Sequence, residues 1–308
     1  MNPPAGEGPA ARSLYDRPYV LLVLTTLAWG GNAVAGRLAV GEISPMLLTA
    51  GRWLLVLLLM AVAFRRPVRE GFPILMAQWK SALWMGALGF TAFNALFYLS
   101  AHHTTAVNIA ILQGSIPVLV MLGGLVLHRT PVRPGQALGM ATTLAGVAVI
   151  ASNGRLETLV HLRFNIGDLF MLVACALYAA YTLGLRGRSG TSGLAFFAGL
   201  AAAAFVTTLP LVAAEVAMGL AQWPTARGWA ILAYVALAPS FVAQLFYMRG
   251  VELIGPGRAG LFINLVPVFG ALLAVLILGE PFGVHNALAL ILVLAGIGLA
   301  ETSARRGA

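Results

Sequence analysis

Apolar and polar residues fall along this chain in long blocks rather than in helical stripes. Stretches long enough to cross a bilayer cover residues 18–39, 45–64, 80–101, 105–127, 134–151, 166–186, 191–213, 228–249, 258–278 and 283–302, and short polar breaks separate them. A hydrocarbon core about 30 Å thick needs about 20 residues of helix. The pattern therefore predicts an all-α integral membrane protein of ten transmembrane helices. Proline and glycine within the blocks are no objection, since both are common in membrane helices. Residues 1–17 are polar and rich in Gly and Pro, and they are expected to form a disordered tail with no cleavable leader; 303–308 form a second tail.

The blocks repeat. Pro117-Val118 lines up with Pro267-Val268, Pro131 with Pro281, Ala137-Leu138 with Ala287-Leu288, and Leu144-Ala145-Gly146 with Leu294-Ala295-Gly296. Further upstream, Trp29 pairs with Tyr178, Asn32 with Tyr181, Arg37 with Arg186, and Leu96-Phe97-Tyr98 with Leu245-Phe246-Tyr247. Two units follow, 18–152 and 166–302. Five helices is an odd number, so the second unit must lie upside down relative to the first. Inverted repeats with a site between them are the architecture of a secondary transporter.

Positive charge orients the chain. With the N-terminus in the cytoplasm, Arg12, Arg17, Arg65, Arg66, Arg69, Lys80, Arg129, Arg133, Arg186, Arg188, Arg249, Arg258, Arg305 and Arg306 all fall inside, and only Arg155, Arg163 and Arg227 fall outside. Arg37 and Arg52 lie within helices near the outer end, where snorkelling to the headgroups is the simpler reading and drawing an anion to an outward vestibule the alternative. Both termini are thus expected in the cytoplasm.

Composition agrees. Of 308 residues, 60% are hydrophobic and 9% charged, against about 25% charged in soluble domains. The net charge of +9 reflects basic cytoplasmic loops and not nucleic-acid binding. Cys175 is the lone cysteine, so no intrachain disulfide can form.

The run Trp29-Gly30-Gly31-Asn32-Ala33-Val34-Ala35-Gly36-Arg37, followed by Ser44-Pro45 and Arg52, resembles the opening of the EamA domain of the drug/metabolite transporter superfamily. Gly167-Asp168-Leu169 ahead of Tyr178 and Tyr181 looks like the start of a second copy. Asn264-Leu265-Val266-Pro267-Val268 and Leu278-Gly279-Glu280 resemble that domain's most recognisable signature. In the first copy Arg129-Thr130-Pro131 departs from it. The resemblance implies export of small metabolites or drugs across a bacterial inner membrane. Overall similarity is greatest to the YddG-type exporters, which favour aromatic amino acids.

Polar side chains are costly in hydrocarbon and should face the interior. Thr91, Asn94, Tyr98 and His102 share one face of the third predicted helix, and Ser240, Gln244 and Tyr247 share one face of the eighth. With Thr25, Trp29 and Asn32, Asn108 and Ser115, Tyr178 and Tyr181, and Asn264, they predict a cavity of hydroxyl, amide and aromatic groups with almost no fixed charge. The substrate-binding set expected is Trp29, Asn32, Asn94, Tyr98, Tyr178, Tyr181, Gln244, Tyr247 and Asn264. Such a lining suits a zwitterionic or neutral solute with a flat apolar part. Pro117, Pro210, Pro239 and Pro267 each remove a mid-span backbone bond, and Pro117, Pro239 and Pro267 are the expected hinges. Glu280 is expected to cap a turn, Asp168 to sit at a positive helix start, Glu215 to be interfacial, and His102 and His103 to lie in a wet loop.

No metal or cofactor is expected. The parts of an intramembrane enzyme are missing: no His-Glu-x-x-His, no Gly-x-Ser-x-Gly and no paired carboxylates within a span. A multidrug or quaternary amine exporter is the nearest alternative, and a non-transporting scaffold the next. The partners expected are a small solute and the lipid bilayer, and no nucleic acid. The absence of a mid-span carboxylate favours facilitated transport or exchange over obligatory proton antiport.

Overall fold

A computed structural model describes residues 14–101, 103–104, 109, 112–161, 164–187, 193–279 and 282–305. Arg12, His102, Asn108, Arg163, Arg188, Glu280, Pro281 and Arg306, all named above, lie outside the described residues, as does the side chain of Tyr98. Every regular element among the described residues is helical. Its elements are α1 (Pro18–Leu38), α2 (Pro45–Ala63), α3 (Arg65–Ala77), α4 (Trp79–Gly86), α5 (Phe93–Ala101), α6 (Ile116–His128), α7 (Pro134–Ala151), α8 (Leu156–Val160), α9 (Ile166–Gly184), α10 (Gly193–Ala217), α11 (Ala226–Val235), α12 (Ala243–Ile254), α13 (Pro256–Leu261), α14 (Leu265–Leu278) and α15 (Val284–Arg305). Among the described residues, eight continuous helical runs are long and apolar enough to cross a membrane, and α6 is a shorter apolar helix.

Helix starts follow from proline. α1, α2, α6, α7 and α13 each carry Pro in the first two positions, where its missing N–H has no intrahelical partner to lose. Asn165 starts α9 differently. Its side chain accepts from the backbone of Gly167 at 2.8 Å, while Asp168 accepts from the Asn165 backbone at 2.8 Å, a capping box. Thr104 adds a hydroxyl donor to Asp168 at 2.5 Å.

Two segments differ from expectation. Residues 65–77, read as a loop, form α3, which carries Val68, Gly71 and Leu75 toward the protein and charges elsewhere. The segment is too short and too charged to span, but its period is helical. The polar tail has an ordered end: Leu14–Asp16 form a turn, and Arg249 donates to Asp16 at 2.9 Å and to the Tyr15 carbonyl at 3.2 Å.

Packing crosses between the halves of the chain. α1 packs on α12 and α14, while α9 packs on α5 and α6. α2 lies along α10, and α7 along α15. The α7–α15 pair meets at Gly139 and Gly296, where a Cβ on Gly139 would stand 2.5 Å from the Gly296 carbonyl. No side chain fits that approach.

One end of the bundle holds both described chain ends. Tyr19 and Arg258 converge on Glu301 through hydrogen bonds and an ion pair, and Arg133 donates to the Ser303 carbonyl at 3.2 Å. At the opposite end, Glu215 is buried against the start of α2. It accepts from the Ser44 hydroxyl at 2.6 Å and from the backbone N–H groups of Met46 and Leu47 at 3.1 and 3.3 Å. α10 thus caps the start of α2, a contact between distant segments that no local motif announces. Backbone bonds from Ser44 to Gln222 and from Thr225 to Glu42 staple the adjoining loops at 3.0 Å each.

Candidate functional site

The helix formed by α4 and α5 is interrupted by a wide π turn at Ala87–Ala92, and the helix formed by α11 and α12 by another at Ala236–Val242. The two turns fall at matching places in the repeated sequence, since Leu96-Phe97-Tyr98 pairs with Leu245-Phe246-Tyr247. Widened turns of this kind release backbone carbonyls and cluster at functional sites. In the first, the Phe90 carbonyl accepts from the Asn94 side chain. In the second, the matching Pro239 carbonyl accepts from the indole of Trp29 at 3.1 Å. Pro239 also lacks an N–H, and the Ser240 hydroxyl takes its place on the Val235 carbonyl at 2.6 Å.

Between the two turns lies a cluster of rings. Tyr178 stands at its centre, with ring centroids of Phe93 at 5.2 Å, Tyr181 at 5.4 Å, Trp29 at 6.0 Å and Tyr247 at 6.2 Å. Trp29 and Tyr247 are 5.1 Å apart. Phe90 carries the cluster outward, touching Tyr181 at 5.1 Å and stacking on Trp53 at 4.7 Å. Polar groups sit at the margin. Tyr181 donates to Gln244 at 3.4 Å, and the Tyr247 and Thr182 hydroxyls pair at 3.2 Å. The Tyr178 hydroxyl is buried beside Gln244 without reaching hydrogen-bond geometry to any described group.

Of the residues singled out from sequence, Trp29, Tyr178, Tyr181, Gln244 and Tyr247 meet in this cluster. Asn94 borders it, its amide turned back on its own helix. Asn32 is half-buried on α1, and no hydrogen bond to it is seen. Asn264 is buried; its amide donates to the Thr143 hydroxyl of α7 at 2.7 Å, and its carbonyl oxygen meets no hydrogen-bond donor among the described residues. Tyr98 falls on α5 with its side chain undescribed. Phe93 and Phe90 belong to the cluster and were missed, because phenylalanine carries no polar group to mark it among so many apolar residues.

Three of the four mid-span prolines fall at irregularities, whereas Pro210 lies within the unbroken helix α10. Pro239 lies inside the second π turn. Pro117 opens α6 just after a turn at Gly114 and Ser115, and Pro267 sits in the first turn of α14, after a tight 3₁₀ turn at Phe262–Asn264.

The described carboxylates Asp16, Glu42, Glu157, Asp168, Glu215, Glu252 and Glu301 lie in loops or toward helix ends, and Glu70 lies on the short, charged α3. Among the described residues no three His, Cys, Asp or Glu side chains stand close enough to hold a metal ion. Among the described residues the ring cluster holds no carboxylate, and the buried Arg52 guanidinium stands 5.0 Å from the Trp53 ring at its edge.

Comparison with known proteins agrees. The fold is shared with a protein of known crystal structure, at a TM-score of 0.76 and 19% identity over 94% of this chain and 98% of that one. An uncharacterised transporter of Bacillus subtilis, YyaM, is 25% identical over 91% of this chain and 92% of its own. A probable terminal-alkyne amino-acid exporter of Streptantibioticus cattleyicolor is 27% identical over 84% of each chain. The EamA-like transporter family matches twice, at residues 17–152 and again at 165–302. Matched over both halves of its multi-pass helical bundle, the chain belongs to the EamA-like transporter family.

Proposed function

We propose that the chain is a secondary transporter exporting small metabolites, above all neutral and aromatic amino acids, by alternating access through the space around Tyr178. The observation that carries this is the ring cluster itself. It is built from both halves of the chain, with amide and hydroxyl groups at its rim and no carboxylate within it. An aromatic side chain would stack among Trp29, Tyr178 and Tyr247, its ammonium group would meet ring faces, and Gln244 and Thr182 would receive the polar end. The probable terminal-alkyne amino-acid exporter of Streptantibioticus cattleyicolor supports an amino acid as the substrate.

The reading includes ten crossings arranged as two inverted units, with both termini in the cytoplasm of a bacterial inner membrane. The exchange of partners supports it: α1 with α12 and α14, and its repeat counterpart α9 with α5 and α6. Motion follows from the same pairing. The two π turns and the breaks before Pro117 and Pro267 let paired helices rock about the cluster, opening it to each side in turn.

Counterflow in proteoliposomes tests the substrate. Labelled phenylalanine should exchange against unlabelled aromatic and neutral amino acids. Competition by quaternary amines alone would make the protein a drug exporter, and no exchange of any solute would leave a scaffold. Cysteine labelling tests the topology: positions 65 and 186 should react from the cytoplasmic side, and position 227 from the other.

A further inference from the structure

α3 carries three faces. Gly71 and Leu75 face α10, with Leu75 seated against Gly199. Arg66 and Glu70 pair with each other at 3.0 Å on an open face, 90% and 66% exposed. The third face holds Arg65, Val68, Arg69, Phe72 and Pro73, spaced as one helical stripe. Together with Met60 and Ala61 from the end of α2, this stripe lines a groove of about 400 Å³.

The two ends of the groove differ chemically. Met60 and Ala61 belong to a helix long and apolar enough to cross a bilayer, so that side opens onto acyl chains. Arg65 and Arg69 stand at the other side, exposed, and neither has a carboxylate partner among the described residues. Arg66, one position away, has one. Phe72 is half exposed beside them. An amphipathic helix with unpaired arginines and an exposed phenylalanine on one face suits the boundary between headgroups and chains. Two guanidinium groups above an apolar floor are complementary to a phosphate joined to acyl chains.

We propose that this groove is a binding site for an anionic glycerophospholipid, its phosphate held by Arg65 and Arg69 and an acyl chain lying over Ala61 and Phe72. Exposed arginines on soluble proteins are ordinarily just solvated. Here the charge is not met by neighbouring acid, and the floor of the groove is supplied by a membrane helix.

Spin-labelled lipids test this with the full chain reconstituted in phosphatidylcholine bilayers. The protein should immobilise labelled phosphatidylglycerol in preference to labelled phosphatidylcholine. The preference should fall roughly fivefold for each arginine removed in R65Q and R69Q, and it should survive in R66Q. Equal immobilisation of the two lipids by the wild-type protein would overturn the proposal, as would a preference that persists in the double variant. Displacement of the label by inorganic phosphate or glycerol phosphate would show a site for free anions instead. If the double variant does not assemble, wild-type protein in about 0.5 M salt serves: the site requires the preference to shrink as its ions are screened.

Discussion

The indole of Trp29 donates to the carbonyl of Pro239 at 3.1 Å. One residue belongs to the first helix of the first half, the other to the widened turn of the second. The bond therefore fastens the two halves at the point where the backbone is least regular. Trp29→Phe keeps an aromatic ring and deletes the donor. It should lower stability by about 1 kcal/mol, the usual net worth of such a bond, and change the exchange rate by more than it changes thermal unfolding. Unaltered counterflow would mean that the bond is only structural.

Tyr178 offers the opposite case. Its hydroxyl is buried and makes no hydrogen bond to a described group. Tyr178→Phe should leave stability within about 0.5 kcal/mol of wild type, while weakening binding of an amino acid severalfold. Tyr247→Phe, which breaks the pair with Thr182, is the comparison, and it should lose stability as well. A loss of more than about 1 kcal/mol in Tyr178→Phe would assign its hydroxyl a structural partner.

Pro267 leaves the Ile263 carbonyl without its usual helical donor, in the tight turn ahead of α14. Pro267→Ala restores that donor and straightens the helix. Transport should slow more than the yield of folded protein falls. Uptake by proteoliposomes at the wild-type rate would remove Pro267 from the hinge.

Glu215 serves as a helix cap supplied from a distance. Glu215→Ala strands the backbone donors of Met46 and Leu47 and the Ser44 hydroxyl in a buried place, and should cost about 1–3 kcal/mol. Glu215→Gln keeps an acceptor and should cost less. Thermal unfolding of the purified protein gives both values.

Arg129 ends α6 with φ of 51°, the left-handed conformation that Gly279 adopts at the end of α14 with φ of 70°. Thr130 steadies the turn through its hydroxyl, which donates to the Gly124 carbonyl at 2.9 Å. A side chain in this conformation costs about 1–2 kcal/mol, part of which glycine returns as chain entropy. Arg129→Gly should therefore stabilise the protein by about 0.5–1 kcal/mol in the same unfolding measurement.

Much of this was legible in the chain. Long apolar blocks announce membrane helices, and the matching of Pro117 with Pro267 announces the repeat. The rings of Trp29, Tyr178, Tyr181 and Tyr247 could be found because each is a large side chain with a polar atom, set in hydrocarbon. Phe90 and Phe93 lacked that mark. Asn264 had it, and its amide N–H goes to Thr143 while its carbonyl oxygen is left without a described donor, so the mark alone does not separate a helix-to-helix contact from a solute contact. The π turn at Pro239 has a local cause in its missing N–H. The one at Phe90 has none, and only the symmetry of the halves betrays it. Residues 65–77 were read as a loop from their charges, although Val68, Gly71 and Leu75 keep a helical beat.

Tyr19, near the start of the described chain, and Glu301, near its end, touch through a shared hydrogen bond beside Arg258. A short bridge joining those ends, with a new opening between the halves after residue 161, would reverse the order in which they are synthesised while leaving every contact in place. Such a circularly permuted protein should insert and assemble, and each half would then meet the membrane in the role its counterpart now plays.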